Sequence, residues 1–292
     1  MTTPFEFRVD GDRIAGWLAA PEGRPIAAVV ITGPMTSVKE QAAGAYAKAL
    51  AARGFVALAF DHRFYGESEG RPRQFENPVA KAADIRAAAA ALKTAPVAAD
   101  LPLCALGVCA GAGYMALAVS EEPAFEAFAT VAGYFPSVAG RDPQQTAAVV
   151  ARGLAAEQRF QETGEETLIP AVSADGGDVA MPLREAYEFY GTPRGAHPNY
   201  RNAYAVQSFA HTTGFDAVGL AERIRQPTFV VHSENALAPP LARAFMARLP
   251  KLEGQAWLTS EGQIDFYDDP RLIGEATDAV AAFFKARVTA PA

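Results

Sequence analysis

Cysteine and histidine are the scarce residues of this 292-residue chain, with two of the first and four of the second. Cys104 and Cys109 lie in and beside one predicted strand, so they cannot build a disulfide framework, and a reducing compartment is the simpler setting. So few histidines leave little for acid–base work, and no His/Cys/Asp cluster has the spacing of a metal site. Glycine motifs that cradle phosphates or dinucleotides are also missing. The 33 acidic and 26 basic residues, net charge −7, are spread without a basic stripe, which argues against a nucleic-acid partner. No apolar run is long enough to span a bilayer. The opening MTTPFEFRVDGDR lacks the basic-then-apolar pattern of a secretory signal. The expectation is a soluble cytoplasmic protein with no metal, no cofactor and no membrane partner. Its partner is a small-molecule substrate, and homodimerisation is left open.

What is present centres on residues 101–120, LPLCALGVCAGAGYMALAVS. Leu101 to Val108 reads as a buried strand and Ala110 to Val119 as a helix. Between them, Gly107-Val108-Cys109-Ala110-Gly111 has the G-x-nucleophile-x-G form, which puts a reactive side chain on a tight strand-to-helix turn. The glycines leave room for strand and helix to approach closely. A helix N-terminus favours a thiolate or an oxyanion, so a lowered Cys109 pKa is expected. Serine is the usual residue at that position. Cys104, inside the strand, reads as plain core.

The rest of the chain frames this turn. Phe5, Phe7 and Val9 alternate with polar residues before Asp10-Gly11-Asp12, predicting a hairpin. Continuous apolar runs at 26–32, 55–61, 101–108, 125–133 and 227–233 predict buried strands, with a last strand at 255–260. Helices are predicted over 38–53, 78–94, 239–249 and 270–286. Alternating strands and helices mark a mostly parallel sheet covered on both faces. Sites in such sheets lie at the carboxyl ends of the strands. Gly33–Met35, Asp61–Arg63, Cys109 and Tyr134 all fall at such ends. Residues 134–215 break the rhythm, with helices over about 143–162 and 180–190 and many aromatics. They read as an inserted cap, with 1–133 and 216–292 as the core. Cap aromatics such as Tyr190 serve either as the cap's own core or as pocket lining.

Four motifs carry a resemblance: the Gly107–Gly111 turn, Asp61-His62-Arg63-Phe64-Tyr65-Gly66-Glu67-Ser68 after the fourth strand, Val231-His232-Ser233-Glu234 after the seventh, and Gly262-Gln263-Ile264-Asp265-Phe266-Tyr267-Asp268 after the eighth. Over its whole length the chain resembles the α/β-hydrolase fold, in particular the capped bacterial esterase-like and peptidase-like group. The cysteine is similar to that of dienelactone hydrolases, which use a Cys-His-Asp triad. The resemblance implies that Cys109 is the nucleophile and that the backbone N–H of Ala110 is one oxyanion donor. Pro34 has no N–H, so Met35, or a neighbour such as Thr36, supplies the other.

The chain departs from that pattern at both remaining triad positions. The acid position falls on Ala236 and the histidine position on Gln263, and no histidine follows His232. His232 and Glu234 are the nearby candidates for acid–base roles. Each is weighed against a structural role, as is Asp265 against helix capping. His62 and Tyr134 are candidate substrate contacts on the same rim, and His62 also fits a structural Asp-x-Arg turn. Gln263 cannot take a proton but can orient a substrate, a water or the thiol. Three readings follow. The first is a cysteine-dependent hydrolase or acyl transferase acting on an ester, lactone or thioester with an apolar body. The second is a lyase, isomerase or cyclase on the same fold without a covalent intermediate. The third is a ligand-binding protein without turnover.

Overall fold

The computed structural model describes residues 2–289. Strands β1 (Thr2–Val9) and β2 (Asp12–Ala19) form the antiparallel hairpin. Asp10 and Gly11 turn it with φ of 52° and 94°, the left-handed pair that a tight hairpin needs. The apolar runs become β3 (Ala28–Thr32), β4 (Val56–Phe60), β5 (Leu103–Val108) and β6 (Ala127–Val131), and every residue of the four is buried. Strands apolar on both faces need cover on both faces. Helices α1 (Ala42–Ala51), α2 (Pro78–Thr94) and α3 (Gly111–Glu121) provide it in the first half of the chain.

Helix α2 starts where the sequence says it should. The Asn77 side chain accepts from the N–H groups of Val79 and Ala80, and Pro78 takes the first helical position. Helix α1 begins later than expected because residues 38–41 close on themselves. Gln41 N–H donates to the Val38 carbonyl at 3.1 Å, and the Gln41 side chain accepts from Val38 N–H at 3.1 Å.

After β6 the chain leaves the sheet for α4 (Pro143–Thr163), β7 (Leu168–Ile169), α5 (Arg184–Tyr190), β8 (Tyr204–Ala205), α6 (Ser208–Thr212) and α7 (Ala217–Leu220). The two-residue ribbon β7–β8 and the helices α6 and α7 are too short to show a period in sequence. The core resumes with β9 (Thr228–His232), α8 (Pro239–Arg248), β10 (Leu252–Trp257), α9 (Asp265–Asp268) and α10 (Pro270–Val288). The last strand starts earlier than expected. It is a sheet edge with a bulge between Leu252 and Gly254, and polar residues alternate along it, so an apolar run marks it poorly.

The eight-stranded sheet has the order β1-β2-β4-β3-β5-β6-β9-β10. Strand β2 is antiparallel to both neighbours, and the rest run parallel. The carboxyl ends of β3, β5, β6 and β9 therefore share one rim, and the inserted segment departs from it. No helix among the described residues is long and apolar enough to cross a membrane.

Candidate active site

Cys109 occupies a sharp corner between β5 and α3, with φ 55°. Its N–H donates to the Val131 carbonyl at 3.1 Å, and its carbonyl accepts from Ala112 and Tyr134 N–H at 3.0 and 2.9 Å. The flanking glycines are sterically required. A Cβ on Gly107 would stand 2.5 Å from Ala112 Cα, and one on Gly111 would stand 2.5 and 2.6 Å from the Gly33 and Thr32 carbonyl oxygens. The Thr32 hydroxyl donates to the Gly111 carbonyl at 3.0 Å. The corner is thus fastened to the end of β3, whose following loop carries Met35. Other non-glycine residues with left-handed backbone cluster nearby: Thr36 (φ 62°), Ala132 (φ 45°) and Ala238 (φ 52°). Such conformations cost roughly 1–3 kcal/mol each and gather at functional sites.

Cys109 as a residue is 8% exposed. The Tyr267 hydroxyl and the Gln263 amide lie beside it. Burial pushes the thiol pKa above its ordinary value, and these two groups and the Ala110 N–H only partly offset that. The lowered pKa expected from the helix N-terminus is therefore corrected, because desolvation outweighs the local dipole. At neutral pH, Cys109 rests as a thiol.

Gln263 does stand beside the cysteine, but both ends of its amide are also tied to backbone. Nε2 donates to the Ala132 carbonyl at 2.8 Å and to Tyr267 Oη at 3.2 Å, while Oε1 accepts from Leu237 N–H at 2.9 Å. Gln263 therefore joins the loops after β6, β9 and β10 behind the thiol. Tyr190 lies 5% exposed, its ring 5.2 Å from Tyr200 and 6.5 Å from Tyr267, and its buried hydroxyl has no partner among the described residues. Tyr267 was not singled out from the sequence. It lies four positions after Gln263, a spacing that one helical turn brings together.

The structure holds every histidine away from the thiol. His62 is buried against Phe60 at 4.8 Å, with Nδ1 3.2 Å from Asp84, beside an Arg63–Asp84 pair. It does not line the cavity described below, so the expected substrate contact is replaced by a structural one. The two ring nitrogens of His232 face the carbonyls of Ser233 and Gly133 at 2.9 and 3.2 Å. Burial pushes its pKa down, and neither nitrogen is free to serve the cysteine. His197 sits 3.7 Å from Glu40, and His211 lies between Asn77 and Glu157. Glu234 is an exposed partner of Arg243, which removes it from acid–base work at Cys109. Asp265 accepts from the N–H groups of Glu261 and Gly262 at 2.8 and 3.2 Å, a local turn role.

The loop after β3 brings Met35 to the same cavity as Cys109. Neither Met35 N–H nor Ala110 N–H donates to a backbone carbonyl among the described residues. Thr36 N–H, by contrast, donates to Glu76 Oε2 at 3.3 Å, which leaves Met35 as the free donor of this loop. Glu76 itself is fully buried. It accepts from the Tyr65 hydroxyl at 2.6 Å and from Lys81 at 2.6 Å. This buried ion pair anchors the floor of the site, and sequence pattern alone gave no sign of it.

Met35, Cys109, Ala110, Tyr114 and Tyr134 line a cavity of about 470 Å³ with Leu237 and, from the insertion, Val149, Ala180, Leu183 and Phe209. That volume falls within the range of small-ligand sites, roughly 300–1,000 Å³. Concavities of about 720 and 550 Å³ lie elsewhere, against α4 and β7 and under the first hairpin, and contain no cysteine. Asp61–Arg63, expected at the rim, stay outside the cavity. Asp61 is instead bound to Lys39, whose Nζ lies 2.8 Å away. No group of three or more His, Cys, Asp or Glu side chains among the described residues is arranged to hold a metal ion.

An open, mostly parallel sheet with an antiparallel second strand and a nucleophile-type corner after its fifth strand is the architecture of α/β hydrolases. The model of the serine aminopeptidase S33 family of hydrolases matches residues 23–258, and the chain belongs to that family. Across 90% of both chains it is 31% identical to the uncharacterised protein YcjY of Escherichia coli K12. The crystal structure of the hypothetical protein PA2218 of Pseudomonas aeruginosa superposes with a TM-score of 0.86 at 25% identity, covering 98% of this chain and 94% of that one. A thiohydrolase of Eupenicillium brefeldianum is 35% identical over 89 residues, 30% of this chain and 29% of that protein.

Proposed function

We propose that the protein is a cysteine-dependent hydrolase or acyl transferase that acts on thioesters of small, largely apolar carboxylic acids. The carrying observation is Cys109 at its strained corner beside Gln263 and Tyr267, with every histidine engaged by other partners. An adduct between a thiol and an oxygen ester expels the better leaving group, which is the attacking sulfur. With a thioester the two sulfurs have similar leaving ability, so exchange proceeds without a strong base. In that step Cys109 Sγ bonds to the acyl carbon, the substrate C–S bond breaks, and the thiol proton leaves with the departing sulfur. The N–H groups of Met35 and Ala110 receive the developing oxyanion. Water, or another acceptor held under the cap formed by 134–215, then takes the acyl group. The name of the thiohydrolase relative supports this choice among ester, lactone and thioester.

The test is turnover of an acyl N-acetylcysteamine series against matched oxygen esters, with intact-mass detection of acyl-Cys109. Thioester turnover that persists in Cys109→Ala overturns the assignment. A second reading, a lyase, isomerase or cyclase reaction without a covalent intermediate, is favoured by the missing base. It predicts turnover with no adduct on Cys109.

A further inference from the structure

Among the residues that line the cavity, Arg141 alone carries a charge. The other walls are apolar or aromatic, apart from Thr212, Thr213 and the polar tips of tyrosines. Arg141 Nε donates to the Ser137 carbonyl at 2.7 Å, and Nη1 donates to the Thr213 carbonyl. These two bonds tie the connection after β6 to the end of α6 and fix the guanidinium in place. No carboxylate among the described residues pairs with it. The neighbouring Asp142 spends its side chain on the N–H of Gln145 at the start of α4. Most of the chain's partly buried arginines are treated differently, as Arg63 shows by meeting Asp10 and Asp84 at 2.7 and 2.6 Å. Tyr134 and Cys109 line the same cavity, so a tyrosine and an uncompensated cation share its wall with the thiol.

A half-buried guanidinium held by backbone, set in the wall of an apolar chamber and left without a counter-ion, is a receptor for an anion. We propose that Arg141, with Tyr134, forms an anion subsite and that the substrate carries a carboxylate on its acyl chain in addition to the reacting carbonyl. The inference rests on Cys109 marking the reacting end. A phosphate on the thiol portion of the substrate presents the same chemistry, so the experiment separates the two sources.

Calorimetric titration reads the subsite without any turnover, so its outcome is independent of the nucleophile assignment. Adipamate, with a terminal carboxylate and an unreactive carbonyl, is compared with its neutral twin adipamide. Pantetheine 4′-phosphate is compared with pantetheine. A charge-assisted contact predicts binding tighter by about 10–100-fold for the anionic member of one pair. That ratio should shrink as salt is raised and fall to within about two-fold in Arg141→Gln, whose amide can still donate to the Ser137 or Thr213 carbonyl. Preference within the adipamate pair places the anion on the acyl chain. Preference within the pantetheine pair alone keeps the subsite and overturns the carboxylate. Equal binding in both pairs by the wild-type protein overturns the proposal, and that measurement does not depend on any variant folding. Loss of thioester turnover in Cys109→Ala with the binding ratio intact leaves the subsite standing.

Discussion

Gln263 Nε2 donates to Tyr267 Oη at 3.2 Å, so the side chain in the histidine's usual place and the hydroxyl beside the thiol act as one unit. The same amide nitrogen holds the Ala132 carbonyl, and Ala132 is one of the left-handed residues of the rim. Gln263→Leu would leave the Ala132 carbonyl and the Leu237 N–H buried without partners. An unmet buried polar group costs about 1–3 kcal/mol. Urea unfolding should show a loss of at least that size. A variant as stable as the parent would mean that the amide does not hold these loops.

Glu76 and Lys81 form a pair 2.6 Å apart in the floor of the site, with both side chains at most 3% exposed. Glu76→Gln leaves a buried ammonium, and breaking such a pair costs about 3–5 kcal/mol. Burial alone would raise the Glu76 carboxyl, but Lys81 and the tyrosine hydroxyls outweigh it and hold the folded value below the ordinary 4.5. The folded pKa lies under the unfolded one. This stabilisation is therefore complete above about pH 4.5 and is lost as pH falls through the folded value. The stability difference between parent and Glu76→Gln, measured by urea unfolding, should be constant near neutrality and narrow on the acid side.

Alkylation should distinguish the two cysteines. Cys104 is fully buried inside β5, and burial pushes its thiol far up. Cys109 faces the cavity and is raised from its ordinary 9.0. Iodoacetamide followed by intact mass should give one adduct, absent in Cys109→Ala. Its rate should still be climbing above pH 9, because the thiolate is the nucleophile. An inflection near pH 7 would show a thiolate stabilised beyond what these surroundings provide.

Gly111 meets backbone where a Cβ would go, at 2.5 Å from the Gly33 carbonyl oxygen. Backbone cannot rotate away as a side chain can. Gly111→Ala should therefore cost at least the upper part of the 1–3 kcal/mol typical of overpacking, seen as a lower thermal midpoint, and should slow any Cys109-dependent turnover.

Much of the fold was legible. The buried strands announced themselves as apolar runs, and α2 was bounded by Asn77 and Pro78. The elements that sequence did not reveal are short or exposed: β7 and β8, α6, α7 and α9, and the shifted edge strand β10. Their patterns are shorter than one period or too polar, and they form because neighbours hold them. Gly153, for example, lets α4 approach so closely that a Cβ there would press on the Ala210 backbone. In the site, Met35, Cys109 and Tyr134 were placed together by the order of the strands, and Ala110 and Gln263 by the resemblance to the α/β-hydrolase fold. His62, His232 and Glu234 were named for their places at strand ends, but they are engaged by Asp84, by the Ser233 and Gly133 carbonyls and by Arg243.

The sequence by itself determined the parallel sheet, the strained corner at Cys109 and the absence of a histidine after His232, because these follow from local pattern and residue identity. Only the tertiary structure decided the state of the thiol, the partner of Gln263, the Glu76–Lys81 floor and the uncompensated charge of Arg141. Each of these depends on burial and on contacts between distant segments. Desolvation and long-range pairing are properties of the packed chain, and no window of sequence contains them.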